Sequence, residues 1–176
     1  MRKSRNERVK KSFSPKVLAL SGIFLALTVI VLYAESLAPT GRLSLYVLSS
    51  LFVSLLVVES DIRAGWLFYF SSSLLAFLIV PDKLALVPYF AFFGLYGIVK
   101  CYAERPNDIA LEYILKYVYF NLCLVLAFFL VKEFFMEQVV IRLPWWLLVI
   151  VLEIVFFLYD YVYSLFIQYY RRRRRR

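Results

Sequence analysis

The chain has 176 residues, of which 63% are hydrophobic and 19% are charged, and it carries a formal net charge of +9 at pH 7. Soluble domains contain about 45–50% apolar residues, so this composition excludes a soluble globule that hides its apolar surface in one core. The chain has no histidine, which excludes an imidazole base, relay or metal ligand.

Six apolar stretches follow one another along the chain and are separated by short charged loops. They run over residues 17–34, 43–58, 64–81, 84–99, 113–131 and 143–170. Each is about as long as a helix must be to cross a hydrocarbon core of roughly 30 Å at about 1.5 Å per residue. The sequence therefore predicts an all-α bundle of six transmembrane helices over residues 17–170, with a basic tail at 1–16 and an arginine tail at 171–176.

The first stretch carries a strip of small residues. Ala19, Gly22 and Ala26 recur at steps of three and four, so they share one face of the predicted helix. Such a strip lets another helix approach closely, either within the chain or from a separate subunit. The stretch is also too long for the apolar region of a usual cleaved signal peptide, so we expect it to be retained as a span.

In the fourth stretch, Pro88 and the pair Gly94 and Gly97 favour a bend or a close helix neighbour.

Lysine and arginine residues are distributed unevenly between the loops. With the N-terminus inside, sixteen lie in the predicted inner loops and tails, four lie in the outer loops, and Lys116 falls within a span. Basic residues beside membrane spans usually face the cytoplasm. This asymmetry predicts an even number of spans and two cytoplasmic termini in a cell-membrane protein. It also favours contact of the basic tails with anionic lipid headgroups over nucleic-acid binding.

Ionisable side chains inside the spans stand out because each costs about 2.5–3.5 kcal/mol at the centre of a lipid-facing helix. Lys116 lies in the fifth span, and Glu153 and Asp160 lie on one stripe of the sixth. The depths of Lys116 and Asp160 are similar if the two helices are antiparallel, so we predict an ion pair between them. That pair either fixes helix register or belongs to a pathway for a ligand, ion or proton; snorkelling of unrelated charges is the third alternative.

The sequence contains no G-x-S-x-G, H-E-x-x-H or phosphate-loop motif. Each of these patterns places reactive groups or backbone N–H groups where a known reaction needs them. We therefore expect no enzymatic activity and no cofactor.

Several short stretches form a layout seen in known membrane proteins. They are the segment from Ala19 to Ala26, the turn Arg63-Ala64-Gly65, the turn Pro81-Asp82-Lys83 and the glycine-bearing fourth span. This layout resembles the S component of energy-coupling-factor transporters, a small six-helix subunit that captures vitamin-like solutes. The resemblance implies that the small-residue face of the first span docks on a coupling membrane subunit that works with ATPases. The layout is also similar to MreD, a multispan protein of bacterial cell-wall elongation that binds partners.

Two functions therefore stay open. A transporter-type subunit would hold a small solute in a polar cavity open to the outside and lined by Arg42, Asp82, Asn121 or Glu153. A membrane scaffold would have a filled interior and would present small and aromatic side chains to its partners. In both cases the lipid bilayer is the solvent of the protein.

Overall fold

The computed structural model describes residues 14–105, 108–135 and 145–174. Every regular element in these ranges is a helix, which confirms the all-helical fold class for the described part of the chain. Most of the predicted basic tail lies outside the described residues, as does the loop at 136–144 with Arg142.

The helices follow the predicted order, with ends that differ by a few residues. They are α1 (Pro15–Leu37), α2 (Arg42–Glu59), α3 (Ile62–Ile79), α4 (Gly94–Ala103), α5 (Ile109–Phe135) and α6 (Trp145–Arg174). Among the described residues, α1, α2, α3, α5 and α6 are long and apolar enough to cross a membrane. These features are those of a multi-pass membrane protein.

The fourth apolar stretch is the exception. It was predicted as a span over residues 84–99, but its continuous helical part is the shorter segment Tyr89–Ala103. Residues 83–86 form turns instead, and a π-helical segment, Tyr89–Phe93, leads into α4. The segment begins directly after Pro88, whose missing N–H suits the first turn of a helix. A sixth crossing of the membrane therefore requires this shorter helix to span the bilayer, which stays a prediction.

Local sequence explains where the helices begin. The Ser14 hydroxyl accepts a hydrogen bond from the Val17 N–H at 3.4 Å, and Pro15 opens α1. The Asp61 carboxylate accepts a bond from the Ile62 N–H at 2.8 Å and caps α3. α2 begins after Gly41, which has a φ of 76°. That left-handed conformation is easily reached only by glycine, so the turn before α2 depends on Gly41.

The chain divides into two compact units, Met1–Tyr113 and Ile114–Arg176. The first unit contains α1 to α4, and the second contains most of α5 together with α6. In the first unit, α2 is the central helix and packs against α1, α3 and α4. The apolar core beside α2 is formed by buried side chains of α2, α3 and α4: Val53, Leu56, Val57, Ile62, Phe68 and Ile98.

Two glycines allow the helices of the first unit to approach closely. A Cβ atom at Gly65 would collide with the Val57 side chain of α2. A Cβ atom at Gly94 would lie 2.8 Å from a ring carbon of Tyr69 on α3. Small residues bring helices together in this way in membrane proteins, where dispersion contacts replace the hydrophobic effect.

The π-helical segment is held by side chains of α3. The Tyr69 hydroxyl donates to the Phe90 carbonyl at 2.8 Å, and the Ser72 and Tyr89 hydroxyls are hydrogen-bonded at 2.7 Å. Both Ser72 and Tyr89 are fully buried. The irregular backbone after Pro88 therefore lies against protein, where its polar groups find partners, as membrane-depth backbone must.

Candidate functional site

The second unit contains two polar contacts between α5 and α6. Lys116 Nζ lies 3.1 Å from Asp160 Oδ2, and the two side chains are 2% and 10% exposed. Asn121 Nδ2 donates to Glu153 Oε1 at 2.8 Å. Residue numbers rise along α5 as they fall along α6, so the two helices are antiparallel where these contacts form. The structure thus brings together Lys116 and Asp160, the two residues of the predicted ion pair.

Aromatic packing occupies the space between the two polar contacts. The rings of Phe120 and Phe156 are stacked with centroids 4.2 Å apart, and Tyr117 meets Phe156 edge-on at 5.4 Å. Phe120 and Phe156 are both buried. The unit therefore has a stacked apolar layer with a charged pair on one side and an amide–carboxylate pair on the other. This arrangement fixes the register of the hairpin and leaves Asn121 and Glu153 engaged with each other.

The other two residues predicted to line a solute cavity, Arg42 and Asp82, lie in the first unit. Arg42 Nε donates to the Ala38 carbonyl at 2.9 Å and closes the turn between α1 and α2. Asp82 Oδ1 accepts from the N–H groups of Leu84 and Ala85 at 3.0 and 3.3 Å. Both side chains are exposed and both order a loop. Of the four predicted cavity residues, Arg42 and Asp82 thus belong to the first unit, and Asn121 and Glu153 belong to the second.

Glu35, which falls in the predicted loop between the first two spans, is buried beside Arg42. Glu35 is 0% exposed, because α1 continues to Leu37 instead of ending at Ala34. The Arg42 Nε atom lies 3.8 Å from Glu35 Oε1, too far for a hydrogen bond. Neither carboxylate oxygen receives a hydrogen bond from the described residues.

A sequence signal for the buried carboxylate existed. Thr28, Leu32 and Glu35 are spaced by four and three residues, and all three are buried on the same face of α1. Extending that periodicity past Ala34 would have placed the carboxylate inside the bundle.

The predicted docking strip lies on the opposite face of the same helix. Ala19, Gly22 and Ala26 are all exposed, and a Cβ atom at Gly22 would meet nothing within 4 Å. Beside the strip, α1 and α3 form an open groove of about 500 Å³. Its lining is hydrocarbon except for one tyrosine and includes Gly22, Ala26, Val29, Tyr33, Leu75 and Ile79. Within the first unit, the small residues are thus turned outward, away from the core.

The described residues contain no group of three or more histidine, cysteine or acidic side chains placed to hold a metal ion. Some charged side chains of the first unit form ion pairs, such as Lys100 Nζ with Glu104 Oε1 at 3.1 Å. Others contact carbonyls or aromatic rings, as Lys83 does with the Val80 carbonyl and the Phe77 ring. The described residues thus offer an apolar groove, a buried carboxylate and a hairpin with polar contacts between its helices. Comparison with known protein families, curated proteins and solved structures found no match to this chain.

Proposed function

We propose that this chain is a membrane interaction protein that binds another transmembrane helix along the groove between α1 and α3. The observation that carries this proposal is the open surface at Gly22, where an added Cβ atom would meet nothing within 4 Å among the described residues outside its own stretch of helix. A glycine and an alanine one turn apart let a partner backbone come close, and the groove beside them accepts apolar side chains. This is the scaffold alternative, of the MreD kind.

The interior of the first unit supports the same proposal. The core cluster beside α2 is apolar, and the buried serines of α2 include Ser49 and Ser50, which bond to carbonyls of their own helix. The groove described above is apolar and opens to the side of the helices. A solute-binding subunit needs a cavity with polar groups that fix the orientation of its ligand. The described polar side chains predicted for that task are engaged within the chain, Arg42 with Ala38 and Asn121 with Glu153.

The cell membrane, with both termini in the cytoplasm, is the location we propose. The distribution of lysine and arginine supports it through the positive-inside rule. α6 extends to Arg174, so it carries Arg171, Arg172 and Arg173 as exposed side chains at its end. These cations suit anionic lipid headgroups at the inner surface.

The docking proposal can be tested by photo-crosslinking in native membranes. A photoreactive residue at Ala26 should give discrete adducts with one membrane protein, identified by mass spectrometry, and Gly22→Leu should remove them. The same photoreactive residue at Ala34 is the matched control, because Ala34 is exposed on α1 but does not line the groove. Adducts with lipid alone at Ala26, or equal adducts at both positions, would contradict the proposal.

A transporter-type subunit that binds a vitamin-like solute is the second candidate. It is favoured by a group of charged side chains at one end of the first unit. Arg42 and Asp82 both interact electrostatically with the buried Glu35. Such a subunit would dock on a coupling membrane protein with ATPases through the same face of α1. Thermal stabilisation of the purified protein by a vitamin-class solute, lost in Arg42→Ala, would support this candidate over the scaffold.

A further inference from the structure

The end of α1 near Leu37 contains a buried acid whose hydrogen bonds are incomplete. Glu35 is fully buried, and both of its carboxylate oxygens lack a donor among the described residues. An ionised carboxylate that is buried without donors is strongly destabilised, because neither water nor protein then replaces its hydration. The environment of Glu35 must therefore supply a donor, a cation or a proton.

The neighbouring donors are committed elsewhere. Arg42 Nε donates to the Ala38 carbonyl, and the Arg42 side chain is 49% exposed, so water screens its charge. The Tyr46 hydroxyl is a neighbour of Glu35, but no hydrogen bond joins the two groups, and Tyr46 donates its one proton to the Ala85 carbonyl. Asp82 is the remaining charged group that acts on Glu35, and its negative charge opposes a second anion nearby.

One arrangement gives a Glu35 oxygen a hydrogen bond and keeps the bond from Tyr46 to the Ala85 carbonyl. A tyrosine hydroxyl has one proton to donate and can accept a bond at the same time. If Glu35 carries a proton, its O–H donates to Tyr46 Oη, and the Tyr46 O–H donates to the Ala85 carbonyl. The chain of bonds then joins α1, α2 and the turn before Pro88.

We propose that Glu35 is a proton-binding site, and that its carboxyl group is held neutral by donation to the Tyr46 hydroxyl. The proton comes from water at the Leu37 end of α1 and bonds to one Glu35 oxygen, with no other bond made or broken. Loss of this proton would leave Tyr46 with two acceptors for one hydrogen, so either Ala85 or Glu35 would lose its donor. The protonation of Glu35 thereby decides whether Ala85, in the turn before the π-helical segment, keeps its hydrogen bond from Tyr46 of α2.

Infrared spectroscopy of the full chain in lipid nanodiscs at neutral pH tests the proposal. We expect a carbonyl band of a protonated carboxylic acid that disappears in Glu35→Gln and persists in Glu153→Gln. Glutamate labelled with ¹³C should shift the band in the wild-type protein, which identifies the acid as a glutamate even if Glu35→Gln fails to fold, and the movement of the band in Tyr46→Phe then assigns it to Glu35. Absence of the band, failure of labelled glutamate to shift it, or its loss in Glu153→Gln alone would overturn the proposal.

A second variant tests the partner of the acid. Tyr46→Phe removes the acceptor, so the carboxylic acid band should move to higher wavenumber, as it does when such a group loses a hydrogen bond. An unchanged band position in Tyr46→Phe would show that Glu35 does not donate to Tyr46. Arg42→Gln should leave the band in place, because Arg42 makes no hydrogen bond to Glu35. A protonated-acid band that requires Arg42 would also contradict this arrangement.

Discussion

Lys116 on α5 and Asp160 on α6 form a buried ion pair with an Nζ to Oδ2 distance of 3.1 Å. The two side chains are 2% and 10% exposed, so both charges are largely removed from water and stabilise each other. A buried pair of this kind repays the cost of desolvation only while both partners are present. The pair therefore makes the α5–α6 hairpin intolerant of losing one charge.

The first prediction concerns this pair. Lys116→Ala should lower the free energy of unfolding by about 3–5 kcal/mol, because it leaves the Asp160 carboxylate buried without its cation. The double variant Lys116→Ala/Asp160→Ala should recover part of the loss, because no charge is then stranded. Thermal or SDS-induced unfolding in detergent measures both effects. Strict additivity of the two single losses would show that the side chains do not interact.

The second prediction compares the other polar contact of the hairpin. Asn121 is exposed, and its Nδ2 donates to Glu153 Oε1 at 2.8 Å. Hydrogen bonds between transmembrane helices contribute about 0.6 kcal/mol on average, so Asn121→Ala should cost far less than Lys116→Ala. The same unfolding assay makes the comparison. If Asn121→Ala destabilised the protein as much as Lys116→Ala, the ion pair would not be the dominant contact of the hairpin.

The contacts between α5 and α6 show which side-chain pairs can be predicted from the sequence. Depth along two antiparallel helices was enough to predict that Lys116 and Asp160 lie together, because helical rise fixes depth. The same arithmetic places Asn121 and Glu153 at similar depths, but the sequence prediction assigns both to the lining of a cavity. Their contact depends on side-chain direction, which spacing alone does not give.

The first unit shows where the limits lie. Hydropathy predicts α1 but ends the apolar stretch at Ala34, whereas the helix continues to Leu37. Glu35 therefore lies buried on the helix and not in a loop. Hydropathy also predicts a continuous fourth span from residue 84, whereas residues 83–86 form turns before the π-helical segment Tyr89–Phe93 and α4. Both differences arise because packing against α2 and α3, and not the local apolar pattern, decides where backbone polar groups are satisfied.

The third prediction concerns the glycine at the start of α4. Gly94→Ala would place a Cβ atom 2.8 Å from the Tyr69 ring and 2.9 Å from the Tyr89 carbonyl oxygen. Overpacking of this kind typically costs about 1–3 kcal/mol, so we expect a lower unfolding temperature in detergent.

Gly22→Ala is the matched control, because nothing lies within 4 Å of the added Cβ atom. It should leave stability unchanged or raise it by up to about 1 kcal/mol, since alanine favours a helix more than glycine does. Equal losses in Gly94→Ala and Gly22→Ala would show that the contact with Tyr69 is unimportant.

The fourth prediction concerns the short helix Tyr89–Ala103, on which the predicted even number of spans depends. At about 1.5 Å per residue it is shorter than a hydrocarbon core of roughly 30 Å, so it can cross only with help from its flanking turns or local thinning of the bilayer. Two features at its ends are compatible with crossing. The Asp82 carboxylate caps the turn before it, and the Lys100–Glu104 ion pair closes its other end.

Cysteine labelling in intact cells measures whether this helix crosses, with Cys101 and Cys123 replaced by serine. Thr40→Cys and Arg105→Cys introduce thiols at exposed positions before and after the short helix. We expect a membrane-impermeant maleimide to label Thr40→Cys from outside and to label Arg105→Cys only after the membrane is opened, because the positive-inside rule places Arg105 in the cytoplasm. Labelling of both thiols from outside would mean that Tyr89–Ala103 returns to the side it started from, and the two termini would then lie on opposite faces of the membrane.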